Sequence, residues 1–121
     1  MINIATAFRV RVEYKELANV SSLVNTDELT KIVYNSAIQT IGNKYKVRTI
    51  DPRLGSEDYA HIANVLEESC YFFVGCPLPD DEGRTYPLHL SQAKFNEEAI
   101  VVGAATMASS AYNWLNRHQT L

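Results

Sequence analysis

The side chains in this 121-residue chain that could do chemistry at neutral pH are three histidines, two cysteines and one adjacent pair of acids. An imidazole near its ordinary pKa can move a proton or ligate a metal. His61 falls within an apolar helical stretch, beside Ala60 and Ile62, where a structural role is the commoner one. His118 lies near the end of the last apolar-periodic segment, where a basic residue suits the helix dipole. His89 differs, because it follows a proline-rich loop and sits in an irregular stretch, TYPLHLSQAKF. In α/β proteins the loops after strands carry function, although composition alone makes a solvated or structural histidine the commoner outcome.

Cys70 and Cys76 are six residues apart and so share a face of an extended strand. That spacing matches no paired metal-thiolate pattern, and no disulfide is needed to explain two buried free thiols. Glu57-Asp58 could be an acid pair for proton transfer, but acids behind Ser56 are also what a helix dipole favours in a first turn. Gly55-Ser56, just before that helix, could present backbone N–H groups to a carboxylate. The chain has no Gly-rich phosphate loop, no His-Glu-x-x-His and no Gly-x-Ser-x-Gly.

The elements that would position these residues follow from periodicity. Thr6 to Lys15 alternates, with Phe8, Val10, Val12 and Tyr14 on one side and Arg9, Arg11, Glu13 and Lys15 on the other, which predicts a strand covered on one face. A polar linker, Glu16 to Ser22, follows. Asn25 with Glu28 resembles a capping box, and Leu29, Ile32, Val33, Ala37 and Ile41 recur at helical spacing before Gly42 ends the helix. Tyr45 to Ile50 predicts a short strand, and Asp51 to Gly55 a loop. Ser56 caps a second predicted helix with Ile62, Ala63, Val65 and Leu66 on its apolar side.

CYFFVGC, from Cys70 to Cys76, predicts a buried central strand, and Pro77 to Pro87 an irregular loop. Asn96 caps a last long helix whose stripe is Ile100, Gly103, Ala104, Met107, Ala108, Ala111, Trp114 and Leu115. Strands alternating with helices predict a parallel α/β layer.

Composition bounds the functions. Hydrophobic residues make up 46% and charged residues 21%, which excludes disordered, collagen-like and coiled-coil chains. A net charge of -3 leaves no electrostatic footprint for nucleic acid or anionic membranes. The longest apolar runs are too short to span a bilayer, and the N-terminus lacks a secretory pattern, so a soluble cytoplasmic protein is expected.

Three blocks extend this reading. LVNTDELTKIVYNSAIQTIG, LGSEDYAHIANVLEESCYFFVGCPLP and YPLHLSQAKFNEEAIVVGAATMASSAYNWL, with the N-terminal strand before them, resemble the C-terminal third of certain metal-dependent amidohydrolases. These are the aminoacylase, hippurate-hydrolase and auxin-conjugate-hydrolase group of the carboxypeptidase and aminoacylase metallopeptidase family. The resemblance covers roughly residues 6 to 118, in the family's order. It implies a two-domain parent: an α/β catalytic domain binding two divalent metal ions (zinc, manganese or cobalt), and an inserted lid domain for substrate binding and dimerisation.

On that resemblance residues 1–22 are the last lid strand and linker, and residues 23–121 the C-terminal part of the catalytic domain. Gly55 and Ser56 fall on the family's substrate-side Gly-Ser-Glu-Asp-aromatic block, and His89 on its C-terminal metal-ligand histidine. The family usually has a short His-Ser-Pro-like step before an aromatic residue. Here His89-Leu90-Ser91-Gln92-Ala93-Lys94 precedes Phe95, a two-residue insertion. The implied reaction is metal-assisted hydrolysis of the amide of an N-acyl amino acid or related conjugate. The general-base glutamate and the other metal ligands have no counterpart here, and a catalytic zinc needs about three protein ligands, so the chain alone is expected to be inactive. The alternative from another class is a non-catalytic binding module that covers a bare apolar face by self-association into a homo-oligomer.

Overall fold

The computed structural model describes residues 2–41, 47–78, 86 and 88–118. In chain order the helices are α1 (Ile2–Ala7), α2 (Asp27–Ile41), α3 (Tyr59–Ala63) and α4 (Glu98–His118). Among the described residues there is no strand, so the expected α/β architecture, its lid-derived strand included, is replaced by a helical one.

The reason differs at each predicted strand. At the N-terminus, Thr6 closes a short helix instead of opening a strand. Arg9 adopts a left-handed conformation (φ 56°), while its N–H bonds the carbonyl of Thr6 and the N–H of Val10 that of Ala5. This pair of bonds is a Schellman stop, with arginine at the position that glycine usually holds. Beyond it Val10 to Val20 is exposed, with no main-chain hydrogen bond to a described residue from Arg11 onward. A strand exists only as half of a ladder, and the alternating pattern here has no partner. Val47 to Ile50 is likewise irregular, while Tyr45, Lys46 and the predicted stop at Gly42 lie outside the described residues.

The third predicted strand, Cys70 to Cys76, is present as an extended segment held by side chains. Asn25 brackets Tyr71: its Oδ1 accepts the Tyr71 N–H and its Nδ2 donates to the Tyr71 carbonyl, both at 2.8 Å. Next to it the Ser69 carbonyl accepts from the Thr26 N–H at 2.9 Å and from the Thr26 Oγ1 at 3.0 Å. The side chain expected to cap α2 is therefore engaged elsewhere. Glu28, the other half of the expected capping box, pairs with Lys31 at 3.2 Å and with Arg117 at 3.0 Å. The ammonium of Lys31 is the main reason its carboxyl titrates below the ordinary value, and Arg117 adds to the effect.

The segment runs along α4 in the opposite sense. The Trp114 Nε1 donates to Glu68 at 2.7 Å, Val74 lies over Gly103, and the Asn96 N–H bonds the carbonyl of Cys76 at 3.1 Å. A Cβ on Gly103 would stand 3.4 Å from a Val74 methyl, so this glycine marks where the segment approaches the helix most closely. Asn96 does cap α4, its Oδ1 accepting the Glu98 N–H at 3.0 Å.

α2 and α4 pack through small and polar residues rather than the predicted apolar stripe. Ser36, fully buried, accepts from Asn113 Nδ2 at 2.9 Å, and Ala37, Thr106 and Ser110 are buried with it. Ala99, Gly103, Thr106, Ser110 and Asn113 follow one helical face, and this inner stripe shares Gly103 with the predicted one and otherwise sits beside it. Ile100 (70% exposed), Met107 (63%) and Leu115 (51%) of the predicted stripe face outward. The buried hydrophobic residues among those described are all alanines, namely Ala5, Ala37, Ala60 and Ala63.

Candidate functional site

Gly55 and Ser56 lie in the irregular loop before α3, both exposed, with open space where a Gly55 Cβ would project. The helix that Ser56 was expected to cap begins later, at Tyr59. Its N-cap is Asp58, whose side chain makes no capping hydrogen bond, and it ends at Ala63 rather than running on to Leu66. A five-residue helix has little dipole to offer an anion, so the carboxylate-binding role expected of Gly55-Ser56 loses its physical basis.

Glu57 takes the position of interest instead. Its Oε1 accepts the Tyr59 N–H at 3.1 Å and its Oε2 the Tyr71 hydroxyl at 2.9 Å. The backbone donor of Tyr59 lowers the Glu57 pKa most, followed by the Tyr71 hydroxyl. The Tyr71 phenol is raised in turn, first by its bond to Glu57 and then by burial. Tyr71 also meets Tyr59 at 5.8 Å between ring centroids and the edge of Phe73 at 5.3 Å, while the Arg53 guanidinium stands 6.0 Å from the centre of the Phe73 ring. The odd-numbered residues of the extended segment thus face the 53–59 loop and α3. The even-numbered ones face the helices, with Cys70 beside Thr30 and Val74 on Gly103.

This cluster works as a clamp, in which the Glu57 carboxylate joins the Tyr59 main chain to the Tyr71 phenol with the Tyr59 ring beside it. The bond between Glu57 and Tyr71 needs an ionised acid and a protonated phenol. Glu57, lowered from 4.5, contributes stability above that pH that is lost as the pH falls through the lowered value. Tyr71, raised from 10.0, contributes stability below that pH that is lost as the pH rises through the raised value. We expect Glu57→Gln to bring the Tyr71 titration down toward its ordinary value, measured as tyrosinate absorbance after subtraction of the Tyr71→Phe curve. An unchanged curve would show that the bond does not form in solution.

His89 is exposed in a turn with a left-handed backbone (φ 71°) and makes no hydrogen bond or ion pair with any described residue. Among the described residues no group of three or more His, Cys, Asp or Glu side chains could hold a metal ion. The described residues do not by themselves make up the two-metal centre that the resemblance implies. No hydrogen bond or ring contact joins His89 to Gly55 or Ser56 among the described residues. His61 is exposed on α3, and His118 is the last residue of α4. Cys70 and Cys76 are free thiols, both half-buried. Burial pushes the Cys70 thiol up, opposed by the Thr30 hydroxyl 3.7 Å away.

An open groove of about 470 Å³ lies between α2, α4 and the extended segment. Leu29, Val33, Phe72, Met107, Trp114 and Leu115 give it apolar walls. The alternation in CYFFVGC could have identified the Tyr71 face, since it separates Tyr71 and Phe73 from Cys70, Phe72 and Val74. The Asn25 bracket has no such local signal, because its partner is 46 residues away. No helix among the described residues is long and apolar enough to cross a membrane. Compared with known proteins, the chain matches no family model and no solved structure.

Proposed function

We propose that the chain is the C-terminal part of a metal-dependent amidohydrolase acting on the amide bond of N-acyl amino acids or related conjugates, and that these residues alone do not catalyse it. The observation that carries this reading is the ordered resemblance of the blocks from Leu23, Leu54 and Tyr86 onward. Their mutual packing supports it. Asn25 and Thr26 of the first block hold Ser69 and Tyr71 of the second, against which Gly103 and Trp114 of the third are packed. Within the proposal His89 is one metal ligand of a set whose other members come from elsewhere in the parent enzyme, and Gly55 and Ser56 lie on its substrate side.

Inactivity of the isolated chain follows from the missing ligands, since one imidazole cannot hold a catalytic zinc. The test is incubation of the purified chain with zinc, manganese or cobalt and an N-acetyl amino acid, scoring release of the free amino acid. No release above the buffer blank is expected. Turnover that co-purifies with the chain and survives removal of host enzymes would overturn the claim. The coding DNA upstream of Met1 tests the family reading itself, which expects metal-ligand motifs there in frame. A second reading, a non-catalytic binding module, is favoured by the outward-facing Ile100, Met107 and Leu115.

A further inference from the structure

The extended segment is touched on both faces, while Phe73 stays 61% exposed. Its even side chains rest on the helices and its odd ones on the 53–59 loop, yet among the described residues no main-chain group of Phe72 to Gly75 has a hydrogen-bond partner. An unpaired edge of this kind is a template for another strand. The same chain carries a second segment, Val10 to Lys15, whose main chain has no described partner from Arg11 onward and whose pattern is that of an edge strand with one apolar face. Placed beside Phe72 to Gly75, with Val10, Val12 and Tyr14 on the helix side, it would cover outward-facing apolar residues of α4. Arg11, Glu13 and Lys15 would stay in water.

The surface area says that cover is needed. The chain exposes 10860 Å², whereas a compact protein of 13.6 kDa exposes about 6,600 Å². The excess of roughly 4,000 Å² per chain is more than each partner gives up in an obligate dimer, about 1,000–2,500 Å². We infer that two copies of the chain associate reciprocally, the Val10–Lys15 segment of each adding as a strand to the open Phe72–Gly75 edge of the other. Reciprocity makes the pair a closed two-fold dimer, because each copy gives one strand and receives one. This goes beyond the hydrolase reading and does not rest on it. Its readout is mass and secondary structure rather than turnover.

The test is sedimentation of the full chain over a wide dilution series, with amide I infrared spectra at each end. The expected result is a species of twice the chain mass that dissociates on dilution, with β-sheet signal present only in the associated form. Val12→Pro removes a ladder donor at a position exposed in the single chain. It should weaken association at least about tenfold, with helical circular dichroism unchanged. Arg11→Ala, on the solvent side of the added strand, should leave association as it is. A chain that stays monomeric throughout, a dimer indifferent to Val12→Pro, or sheet signal that persists in the monomer would each overturn the proposal. The last result would mean that the two segments pair within one chain.

Discussion

Replacing Asn25 with alanine should cost more stability than any other single side-chain truncation in the α2 region, on the order of 2–3 kcal/mol. Asn25 supplies both main-chain hydrogen bonds of Tyr71, at 2.8 Å each, and joins the start of α2 to the extended segment. Each such bond is worth about 1 kcal/mol net, and truncation also leaves a half-buried N–H and carbonyl without partners. For a domain of this length the loss corresponds to a fall on the order of 10 °C in the thermal midpoint. Asn25→Asp separates the two bonds. Its carboxylate still accepts the Tyr71 N–H but has no proton for the Tyr71 carbonyl, so it should fall between wild type and Asn25→Ala. Thermal unfolding followed by circular dichroism gives the comparison. An Asn25→Ala midpoint within a degree or two of wild type would show that the bracket is not what holds the segment.

The prominence of one asparagine explains what could be read from the chain and what could not. Helices α2 and α4 were legible because their signals are local: apolar recurrence over several turns, and at α4 an Asn96 cap that the structure keeps. The extended character of Cys70 to Cys76 was legible for the same reason. What failed was inference from a strand pattern to a sheet. Alternation in Thr6–Lys15 records which side chains prefer cover, but a strand also needs a neighbour, and neither segment has one among the described residues.

The error in the α4 stripe has a related origin. Hydropathy ranks Ile100, Met107 and Leu115 as core, whereas the contact with α2 selects small residues and hydroxyls that let the helices approach, as at Ser36 and Ser110. At the candidate site, Glu57 was visible as an acid but was assigned to a helix first turn. Its phenol partner, Tyr71, is 14 residues away, beyond the reach of local rules. Gly55-Ser56 and His89 were picked out by their loop positions and given roles by the resemblance, and in the structure no hydrogen bond joins His89 to Gly55 or Ser56.

Burial that, among the described residues, stops at alanine, serine and threonine sets the second large expectation, that the dilute chain unfolds with unusually shallow denaturant dependence. The unfolded polypeptide of 13.6 kDa would expose about 19,700 Å², so folding to 10860 Å² removes only about 45% of its surface from water. A compact protein of this size removes about two thirds. Because the urea m-value scales with the area exposed on unfolding, it should be about two thirds of that of a compact protein of equal length. The heat capacity of unfolding should be small for the same reason, since the outward-facing Ile100, Met107 and Leu115 are wet in both states. At concentrations where copies associate, the m-value per chain should rise toward the ordinary figure, because the apolar faces are then covered before denaturant exposes them. Urea titrations at the two ends of a dilution series decide this. An ordinary m-value at the lowest concentration would mean that a single chain hides these faces on its own.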